Sequence, residues 1–517
     1  MFLTTAEQMR ELDRRASREF GVPSIVLMEN AGLRTFDVVY GMLEEIEGHR
    51  VAVVCGRGNN GGDGFVVTRH LHQVGVEVEI FLIGRIEDAK GDAAINLNIA
   101  GKSGIPITEV TDINALKSAL VHSDLIVDAI FGTGIKGEIT GLAGEAIDAI
   151  NDSGSPVVSV DLPSGLDADT GQVSERCVRA DATVTFALPK IGLATYPGAS
   201  CAGEVTVADI GIPDLAFETA GIDTFVTDAD DVRVRLPERP DDANKGTFGR
   251  AAIIAGSVGM TGAAAMAGMA AVRIGAGLVT LGIPESLNDI LEVKVTEVMT
   301  LPMPETKDRS FSLSAVDKAL ELIQKCDAVA IGPGIGRNPE TAAFIHELLP
   351  KIETPVVIDA DGLNAVSENV ELFKSLKAPA IITPHPGEMS RLTGTPVEAI
   401  QSNRLEAAKD AAARFGVTVV LKGAATVTAS PSGEAWVNST GSVALASGGT
   451  GDILTGTITG LLAQGLEPLD AAVCGVYIHG KAGEMAAEEI GKSGAAATDL
   501  LPLLPLALGI IDFRLIN

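Results

Sequence analysis

The sequence alternates short β-branched apolar runs with segments of helix length, and this pattern constrains the fold more than any other feature. In the first half the runs each end in glycine or a turn, and they read RVAVVCGRG, VEVEIFLIG, DLIVDAIFGTG, PVVSVDLPSG, ATVTFALPK and EVTVADIG. Such alternation predicts an α/β fold with a doubly wound, mainly parallel sheet. Ligands of these folds bind beyond the carboxyl ends of the strands, so the strand-end loops are the predicted sites.

A change of composition separates this half from a second one. Between Gly211 and Gly249 the chain becomes rich in proline and charge, and a new strand, AAIIAGS, follows. We place the seam near residues 215–235 and predict domains over residues 1–220 and 225–515. The alternation then resumes with LVTLGIP, DAVAIGPGIG, PVVIDADG, AIITPHPGE and VTVVLKG, before a hairpin-like pair, ATVTAS and EAWVN. Because the strand-end motifs differ, we do not interpret the halves as an internal repeat.

Composition and charge narrow the function classes. A chain of 517 residues is too long for one ordinary core. Its 39 basic and 68 acidic residues leave a net charge of −29, which repels polyanions, so we expect no nucleic-acid partner. Five cysteines without a CxxC pair predict a reducing, cytoplasmic location and argue against a zinc or disulfide framework. We interpret AAAMAGMAAVRIGAGLVTLGIP and LLPLLPLALGII as core segments rather than membrane spans.

The chain opens with a helical pattern that differs from a signal peptide. Thr4 and Glu7 have the spacing of a capping box, and Met9, Leu12 and Ala16 follow at helical spacing. A second apolar segment, SIVLMENAG, is predicted to pack beside this helix.

The segment GRGNNGGDG, residues 56–64, joins a first-half strand to a predicted helix. Glycine lets the backbone approach a phosphate, and the amides of a helix start complement its charge. A tight strand-to-helix turn would explain the glycines equally well, and the segment is not a GxGxxG fingerprint. Its two asparagines and one aspartate favour a site, since a plain turn does not need three polar side chains.

Acidic residues follow two neighbouring strands of the first half. Asp128 and Asp161 each end an apolar run, and Ser164 comes three residues after Asp161. Each acid alone would serve as a turn former or helix cap. Together, Asn60, Asp128 and Ser164 offer hard oxygen ligands for a hard cation. Asp161 and Lys136 would form a general acid/base pair if they meet across the cleft.

The strongest single signal in the second half is GGTGDILTGTITGLLAQG. An apolar stripe after Asp452 predicts a helix, so the glycines lie at its N-terminus, where free amides and the dipole attract anions. Asp452 is either a functional acid or only a helix N-cap. Lys422 ends another strand and is either a phosphate ligand or a solvated lysine. His385, between two prolines, is equally compatible with ligand contact and with a structural role.

The first-half motifs NNGGDG, VDAIFGTG and VDLPSGLD resemble, in order and spacing, the NAD(P)H-hydrate epimerase domain of the bifunctional nicotinamide-nucleotide repair proteins. The resemblance implies a Rossmann-like fold and epimerisation of nucleotides whose nicotinamide ring has gained water. It implies K⁺ held by Asn60, Asp128 and Ser164. Asp161 and Lys136, the acid/base pair predicted from the residues, are the candidate catalytic residues of this half. Contacts with the hydrated nucleotide are implied for Asn59, Asn60, Gly61, Gly62, Asp63, Gly132, Thr133, Gly134, Ile135, Lys136, Gly137, Glu138 and Asp161.

The second-half motifs resemble the ribokinase-like superfamily, and with KGTFG, GPGIG, HPGE and KGAAT they are closest to its ADP- or ATP-dependent NAD(P)H-hydrate dehydratases. The resemblance implies a ribokinase-like α/β sandwich that uses Mg²⁺ with ADP or ATP, and Asp452 as the base. Adenine-nucleotide contacts are implied for Lys422, Gly423, Ala424, Ala425, Thr426 and Gly451. Contacts with the hydrated dinucleotide are implied for Ala263, Gly334, Gly336, His385 and Asp452.

Together the two resemblances imply a bifunctional isomerase and lyase that repairs hydrated NADH and NADPH. Its expected partners are these small molecules and ADP or ATP, with no membrane and with further copies of itself in a homo-oligomer. Two alternatives remain open at this point. The second half would also suit a kinase of sugars or pyrimidine alcohols, and the first half a non-catalytic nucleotide-binding module.

Overall fold

The computed structural model describes residues 1–43, 48–134, 137–218 and 220–512. They form two compact units, one over Phe2–Thr224 and the other from Phe225 onward together with Met1. Each unit contains its own sheet, and the two are described separately.

The first unit has a seven-stranded sheet. Its strands are β1 Arg50–Cys55, β2 Glu77–Leu82, β3 Ile107–Glu109, β4 Leu125–Ala129, β5 Val157–Val160, β6 Ala182–Phe186 and β7 Glu204–Ala208. Its helices are α1 Ala6–Arg18, α2 Ser24–Met42, α3 Asn59–Gln73, α4 Gly91–Lys102, α5 Ile113–Val121, α6 Gly141–Asp152, α7 Ile191–Ala194 and α8 Asp214–Glu218. The strands are all parallel, in the order β3-β2-β1-β4-β5-β6-β7.

This order is that of a Rossmann-like doubly wound sheet, with its switch point between β1 and β4. Alternate residues of β1 serve the two faces of the sheet. Val51 and Val53 pack in a cluster with side chains of α2, α3 and α4, whereas Ala52 and Val54 pack with α5 and α6. The loops after β1 and β4 therefore part to opposite faces and leave a crevice between them, where such folds bind ligands.

The first helix begins one residue later than the sequence predicts. Thr5 is its N-cap: the Thr5 hydroxyl accepts a hydrogen bond from the Gln8 amide at 3.2 Å, and Gln8 Oε1 accepts one from the Thr5 amide at 2.9 Å. Thr4 is buried in a β-bridge to Lys190. The capping box predicted from Thr4 and Glu7 is therefore wrong, because the adjacent Thr5 and Gln8 have the same spacing and Thr4 is engaged elsewhere.

The second unit has a ten-stranded sheet. Its strands are β8 Thr224–Thr227, β9 Arg250–Ile254, β10 Leu278–Pro284, β11 Met299–Met303, β12 Ala328–Ile331, β13 Val356–Ile358, β14 Ala380–Ile382, β15 Thr418–Leu421, β16 Val427–Ala429 and β17 Ala435–Asn438. Its helices are α9 Ala229–Arg235, α10 Thr261–Arg273, α11 Asn288–Lys294, α12 Val316–Ile323, α13 Pro339–Leu348, α14 Asp361–Ser367, α15 Pro386–Thr393, α16 Val397–Ser402, α17 Arg404–Phe415, α18 Thr450–Ala463, α19 Pro468–Glu489 and α20 Leu500–Ile511.

The order of this sheet is β11-β10-β9-β12-β13-β14-β15-β16-β17-β8, parallel from β11 to β15 and antiparallel through β16 and β17. The glycine-rich helix α18 packs against α10 and α19, and its buried face joins the core over the sheet. The fold is the predicted ribokinase-like α/β sandwich. Among the described residues, no helix combines the length and apolar character needed to cross a bilayer.

Candidate active sites

A cavity of about 310 Å³ lies at the carboxyl edge of the first sheet. Its walls come from α1, α2, the start of α3 and the loops that follow β4, β5 and β6. Among the predicted residues, Asn59, Asp63, Thr133 and Asp161 line it. Lys190, which the sequence analysis did not single out, lines it as well.

Asp161 and Lys190 form a buried ion pair in this cavity. Lys190 Nζ donates to Asp161 Oδ1 at 2.5 Å, and it also donates to Thr185 Oγ1 at 3.0 Å and to the Phe186 carbonyl at 3.2 Å. The Lys190 side chain is only 1% exposed. Because breaking a buried pair leaves a charge without compensation, the amine and the carboxylate hold each other in place.

Lys190 pairs with Asp161, the acid for which the sequence analysis proposed Lys136 as a partner. Ile135 and Lys136 lie outside the described residues. The signal for Lys190 was present in ALPKIGL, where one lysine stands among apolar residues shortly after a buried strand. A lysine in such surroundings is buried only with a partner.

Asp128 and Ser164, two of the three predicted K⁺ ligands, are in direct contact. Ser164 Oγ donates to Asp128 Oδ1 at 2.6 Å, and the Ser164 amide and Ser159 Oγ donate to Oδ2 at 2.8 and 2.9 Å. Burial raises the pKa of Asp128, and hydrogen bonds from Ser164, Ile130 and Ser159 oppose that effect. Within the described ranges no basic side chain pairs with this fully buried carboxyl. Asn60 Nδ2 is buried and has no hydrogen-bond partner in the part of the chain that the structure describes.

Gly132 lies close to both Asn60 and Asp161. A Cβ at this position would lie 2.9 Å from Asn60 Oδ1 and 3.2 Å from Asp161 Oδ2, so a side chain would displace one of the two. Gly61 and Gly62 are buried in the first turn of α3. Gly134, Gly137 and Glu138 are described, but they are not among the residues that line the cavity.

A second cavity, of about 380 Å³, lies in the second unit between the starts of α10, α14 and α18 and the loop after β12. Of the predicted residues, Ala263, Gly334 and Asp452 line it. Three further charged residues, Arg337, Asp361 and Glu388, do so too. The cavity therefore meets the N-terminus of α18, where amide groups are available to an anion.

The structure excludes the N-cap role for Asp452. The N-cap of α18 is Gly449, in the left-handed region at φ 99°, and Asp452 lies within the first helical turn. In the described part of the chain, the Asp452 carboxyl has no hydrogen-bond partner. Burial, followed by the nearby charge of Asp359, raises its pKa to about 7 despite the opposing charge of Lys422. This group is thus a carboxyl that exchanges a proton near neutral pH.

Lys422 is held by acids rather than solvated. Its Nζ lies 2.7 Å from Asp359 Oδ1 and 3.8 Å from Glu388 Oε2, while Thr455 Oγ1 donates to Asp359 Oδ2 at 2.7 Å. Burial opposes the charged amine, but Asp359 and Glu388 outweigh it and raise the pKa of Lys422. A Cβ on Gly451 would lie 3.6 Å from Nζ, so the lysine reaches the start of α18.

The other predicted nucleotide contacts form the turn after β15. Gly423 lies against the Arg404 guanidinium, and Thr426 Oγ1 donates to the Gly423 carbonyl at 2.8 Å. Ala424 is exposed beside them. Ala425 has a positive φ of 49°, a strained conformation for a residue with a side chain.

His385 and Gly336 lie next to residues that line the cavity. His385 is the N-cap of α15: its Nδ1 accepts hydrogen bonds from the Gly387 and Glu388 amides at 3.0 and 3.3 Å. Burial, then the charge of Lys422, lowers its pKa, so the ring is neutral at neutral pH. The Gly336 amide donates to Asp361 Oδ2 at 3.2 Å.

Two features, one in the sequence and one in the backbone, mark site residues that the sequence analysis missed. Asp359 ends the strand PVVIDADG just as Asp161 ends PVVSVDLPSG, but only the second was singled out. Strained backbone marks both places, because four of the five described non-glycine residues with positive φ lie near the sites. They are Asp161, Ala187, Ala360 and Ala425. In the described residues, no group of three or more His, Cys, Asp or Glu side chains would hold a metal by itself.

Comparison with known families agrees with this division into two sites. Residues 24–192 match the model of the YjeF-related protein N-terminus, and residues 251–506 match that of the NAD(P)H-hydrate dehydratase. The first match covers most of the first sheet and the cavity walls from α2, α3 and the loops after β4 to β6, but not the wall from α1. The second match covers the whole lining of the second cavity.

Whole-chain relatives carry both units. The chain is 46% identical to a bifunctional NAD(P)H-hydrate repair enzyme of Moorella thermoacetica, over 98% of this chain and 97% of the relative. It is 39% identical to that of Thermofilum pendens, over 98% and 96%. Among solved structures, an ADP/ATP-dependent NAD(P)H-hydrate dehydratase from Bacillus subtilis, co-crystallised with ATP and Mg²⁺, matches 56% of this chain and 99% of its own at 35% identity, with a TM-score of 0.50.

Proposed function

This chain belongs to the family of bifunctional NAD(P)H-hydrate repair enzymes, and from that premise we propose how its residues divide the work. It epimerises the R and S forms of hydrated NAD(P)H and dehydrates the S form to NAD(P)H with consumption of ADP or ATP. The alternative, a sugar or pyrimidine-alcohol kinase fused to a nucleotide-binding module, finds no support in these matches.

We assign epimerisation to the first cavity, with Asp161 as a proton-transfer group and Lys190 as the residue that holds it. The carrying observation is the buried Asp161–Lys190 pair, in which Lys190 engages Oδ1. The other oxygen, Oδ2, lies near the position that a Gly132 side chain would fill. The predicted contacts Asn59–Asp63 and Gly132–Glu138 would bind the dinucleotide around it, since a helix start and glycine-rich turns suit its phosphates.

The residues of the first site fit K⁺. Asn60, Asp128 and Ser164 offer hard oxygen donors, Ser164 Oγ lies 2.6 Å from Asp128 Oδ1, and the buried Asp128 carboxyl has no basic partner among the described residues. Buried carboxylates are paired or bind cations, so this carboxyl suits K⁺. K⁺ held there would neutralise Asp128 and favour an anionic substrate nearby.

We assign dehydration to the second cavity, with Asp452 as the base. The carrying observation is a carboxyl without a partner in the first turn of α18 whose pKa is about 7, near the value that suits a general base. Asp452 would take the proton of the substrate hydroxyl as that oxygen attacks the terminal phosphoryl group. The phosphorylated oxygen then leaves as phosphate, a ring proton is lost, and the reduced ring is restored.

The chain's other groups position the nucleotide for this step. The amides at the start of α18 and the Lys422 ammonium would stabilise negative charge on the transferred phosphoryl group. Lys422–Thr426 and Gly451 would contact the adenine nucleotide, while Ala263, Gly334, Gly336 and His385 would face the hydrated ring.

The second site also fits Mg²⁺ bound with the nucleotide. Mg²⁺ is usually held by one or two carboxylates together with phosphates, and Asp361 and Glu388 present such groups at the cavity. Mg²⁺ there would neutralise charge on the phosphates.

We propose that the partners are small molecules and further copies of the chain, in the cytoplasm, without nucleic acid. The net charge of −29 supports the last point, and five unpaired cysteines support a reducing compartment.

A mixture of R and S hydrates incubated with ADP, with ATP or with neither tests the function. We expect complete recovery of the absorbance of the reduced nicotinamide with at least one nucleotide and none without. A stable phosphorylated product in mass spectrometry, without recovery of reduced nicotinamide, would contradict the proposal and favour a kinase.

A further inference from the structure

The first cavity contains a carboxyl that the roles above leave unused. Asp13, on α1, lines the cavity together with Asp161 and Lys190. It has no hydrogen-bond partner in the described part of the chain. Burial, then the opposing charge of Lys190 and the reinforcing charge of Asp161, sets the pKa of Asp13 at about 6. Asp13 is therefore close enough to the ion pair to share its electrostatics.

A second observation shows that this side of the cavity is shaped for a ligand. Asp63, in the first part of α3, is only 8% exposed and lines the same cavity. Its carboxyl also has no partner among the described residues, and such a buried polar group needs a partner that the chain itself does not supply. Burial, followed by the charges of Asp161 and Asp13, raises the pKa of Asp63 far above its usual value. Burial therefore favours the protonated form of the Asp63 carboxyl.

The chemistry of the epimerisation requires more than one proton-transfer group. Hydration of a cyclic enamine puts the hydroxyl on the carbon beside the ring nitrogen. To invert that carbon, the C–O bond breaks, its electron pair leaves with the oxygen, and the nitrogen lone pair forms a C=N bond. Water then adds to the opposite face. One group must protonate the leaving oxygen on the first face, and another must deprotonate the water on the second.

We propose that Asp13 and Asp161 are these two groups, which makes Asp13 a further catalytic residue of the epimerase. In the R-to-S direction Asp13 gives its proton to the leaving hydroxyl, and Asp161 takes one from the attacking water. One water leaves for each that adds, and one proton passes from Asp13 to Asp161. The S-to-R direction uses the same groups in reverse, and exchange with solvent resets the protons. The inference rests on the proposed role of Asp161.

The surroundings favour Asp13 over Asp63 as the partner of Asp161. Asp13 is partly exposed and so exchanges protons readily with solvent, whereas Asp63 is only 8% exposed. Lys190 and Asp161 face Asp13 from the loops after β6 and β5, and Asp63 faces it from α3. On its own helix, Arg10, Arg14 and Arg18 line the cavity, and exposed Glu7 and Glu11 pair with the first two of these.

The test measures both directions of epimerisation in the full chain carrying Asp13→Asn, using separated R and S hydrates and no added nucleotide. We expect kcat to fall about 10²-fold in each direction, the usual scale for one proton-transfer group, with KM changed by less than about threefold. In the wild type, R-to-S kcat/KM should decline as pH rises above about 6, because Asp13 then loses its proton. The variant should lack that decline.

Glu11→Gln is the matched control, since it makes the same acid-to-amide change on the exposed side of the same helix. Thermal unfolding of the first unit verifies that Asp13→Asn is folded. A folded Asp13→Asn with kcat within twofold of wild type would overturn the inference. So would an Asp63→Asn variant that loses the decline above pH 6 while Asp13→Asn keeps it. Failure of the wild type to interconvert the epimers would instead overturn the proposed function.

Discussion

The parallel parts of the two sheets share one strand order, but the two units differ in whether a lysine pairs with the carboxyl that we propose as catalytic. Counted from the first strand of each parallel part, both sheets run third, second, first, fourth, fifth, sixth, seventh. In the first unit the lysine of the site pairs with the key acid, as Lys190 does with Asp161. In the second unit the lysine pairs with a different acid, as Lys422 does with Asp359, and Asp452 is left without a partner.

This difference matches the two chemistries. Asp161, at a strand end, is clamped in place by a buried ammonium, which suits proton exchange with a neutral hydroxyl or water. Asp452 lies at a helix start where we propose that phosphate binds, and its pKa is raised to about 7. It is thus able to accept the proton of an attacking hydroxyl, while Lys422 remains available to the phosphate. The same fold therefore supports two sites because their acids and lysines are paired differently.

The largest expected effect is on dehydration. Asp452→Asn removes the base, so nucleotide-dependent recovery of reduced nicotinamide should fall by about 10³-fold or more. R-to-S conversion by the same variant should stay within about twofold of wild type, because Asp161 is in the other unit. Absorbance of the reduced ring measures the first rate and chromatography of the epimers the second. Full dehydratase activity in the variant would break the assignment.

The same acid-to-amide substitution at Asp161 and at Asp452 should change the stability of the two units in opposite directions. Asp161→Asn leaves the Lys190 ammonium buried without a counter-charge, and we expect the first unit to lose about 3–5 kcal/mol. Asp452→Asn removes a carboxyl that is costly to ionise, and the second unit should gain up to about 4 kcal/mol at pH 8.

The direction of the stability change in Asp452→Asn follows from how the stability of the wild type depends on pH. With its pKa raised from 3.8 to about 7, native wild type binds more protons than the unfolded chain between these values, so its stability falls as pH rises through them. The gain in Asp452→Asn should therefore be full above pH 7 and vanish below about pH 4. Denaturant unfolding, followed separately for each unit, measures both variants. Destabilisation by Asp452→Asn at pH 8 would show that the carboxyl has a structural partner.

Two lysines compete for the role at Asp161. Lys190→Met should lower R-to-S conversion by about 10²-fold, because the carboxylate loses the group that orients it. Lys136→Met makes the same change in the glycine loop and should have a smaller effect. Lys190→Arg, which keeps the charge, should restore part of the activity. A larger loss in Lys136→Met than in Lys190→Met would reverse the assignment.

The smallest expected effect concerns the cation of the first unit. K⁺ should raise the unfolding temperature of this unit by a few degrees relative to a choline salt of equal ionic strength, because binding to the native state adds about 1–2 kcal/mol. Asp128→Asn should abolish the difference. The second unit is the internal control, and an equal shift there would indicate a general salt effect.

The sequence predicts most of this architecture because buried strands carry their own signal. Each run that the sequence analysis interpreted as a strand is a strand in the structure, whereas β3, β8 and β11 were not predicted. All three are edge strands, where one side of the backbone is unpaired and the apolar pattern is weak. The capping box was misplaced by one residue because two candidates with the same spacing are adjacent.

Site residues that lie in a local sequence motif were predictable, whereas those that only the fold brings together were not. Asn60, Asp128, Ser164 and Asp452 lie in glycine-rich strand-end motifs. Asp128 and Ser164 are in contact, and Asp452 lines the second cavity. Lys190 comes close to Asp161 only because β5 and β6 are neighbours in the sheet. Such pairings depend on tertiary structure and leave no spacing in the sequence. Asp13, on a helix that precedes the whole sheet, is the extreme case.

The most direct test of two separate sites mixes two single variants. On an R/S hydrate mixture with nucleotide, Asp161→Asn alone should recover reduced nicotinamide quickly only from the S form initially present. Asp452→Asn alone should recover almost none. Together in one tube, the two should recover both epimers, because each supplies the site that the other lacks. Recovery by the mixture that stops at the S fraction, or full recovery by Asp161→Asn alone at the wild-type rate, would contradict the assignment of epimerisation to Asp161 and dehydration to Asp452.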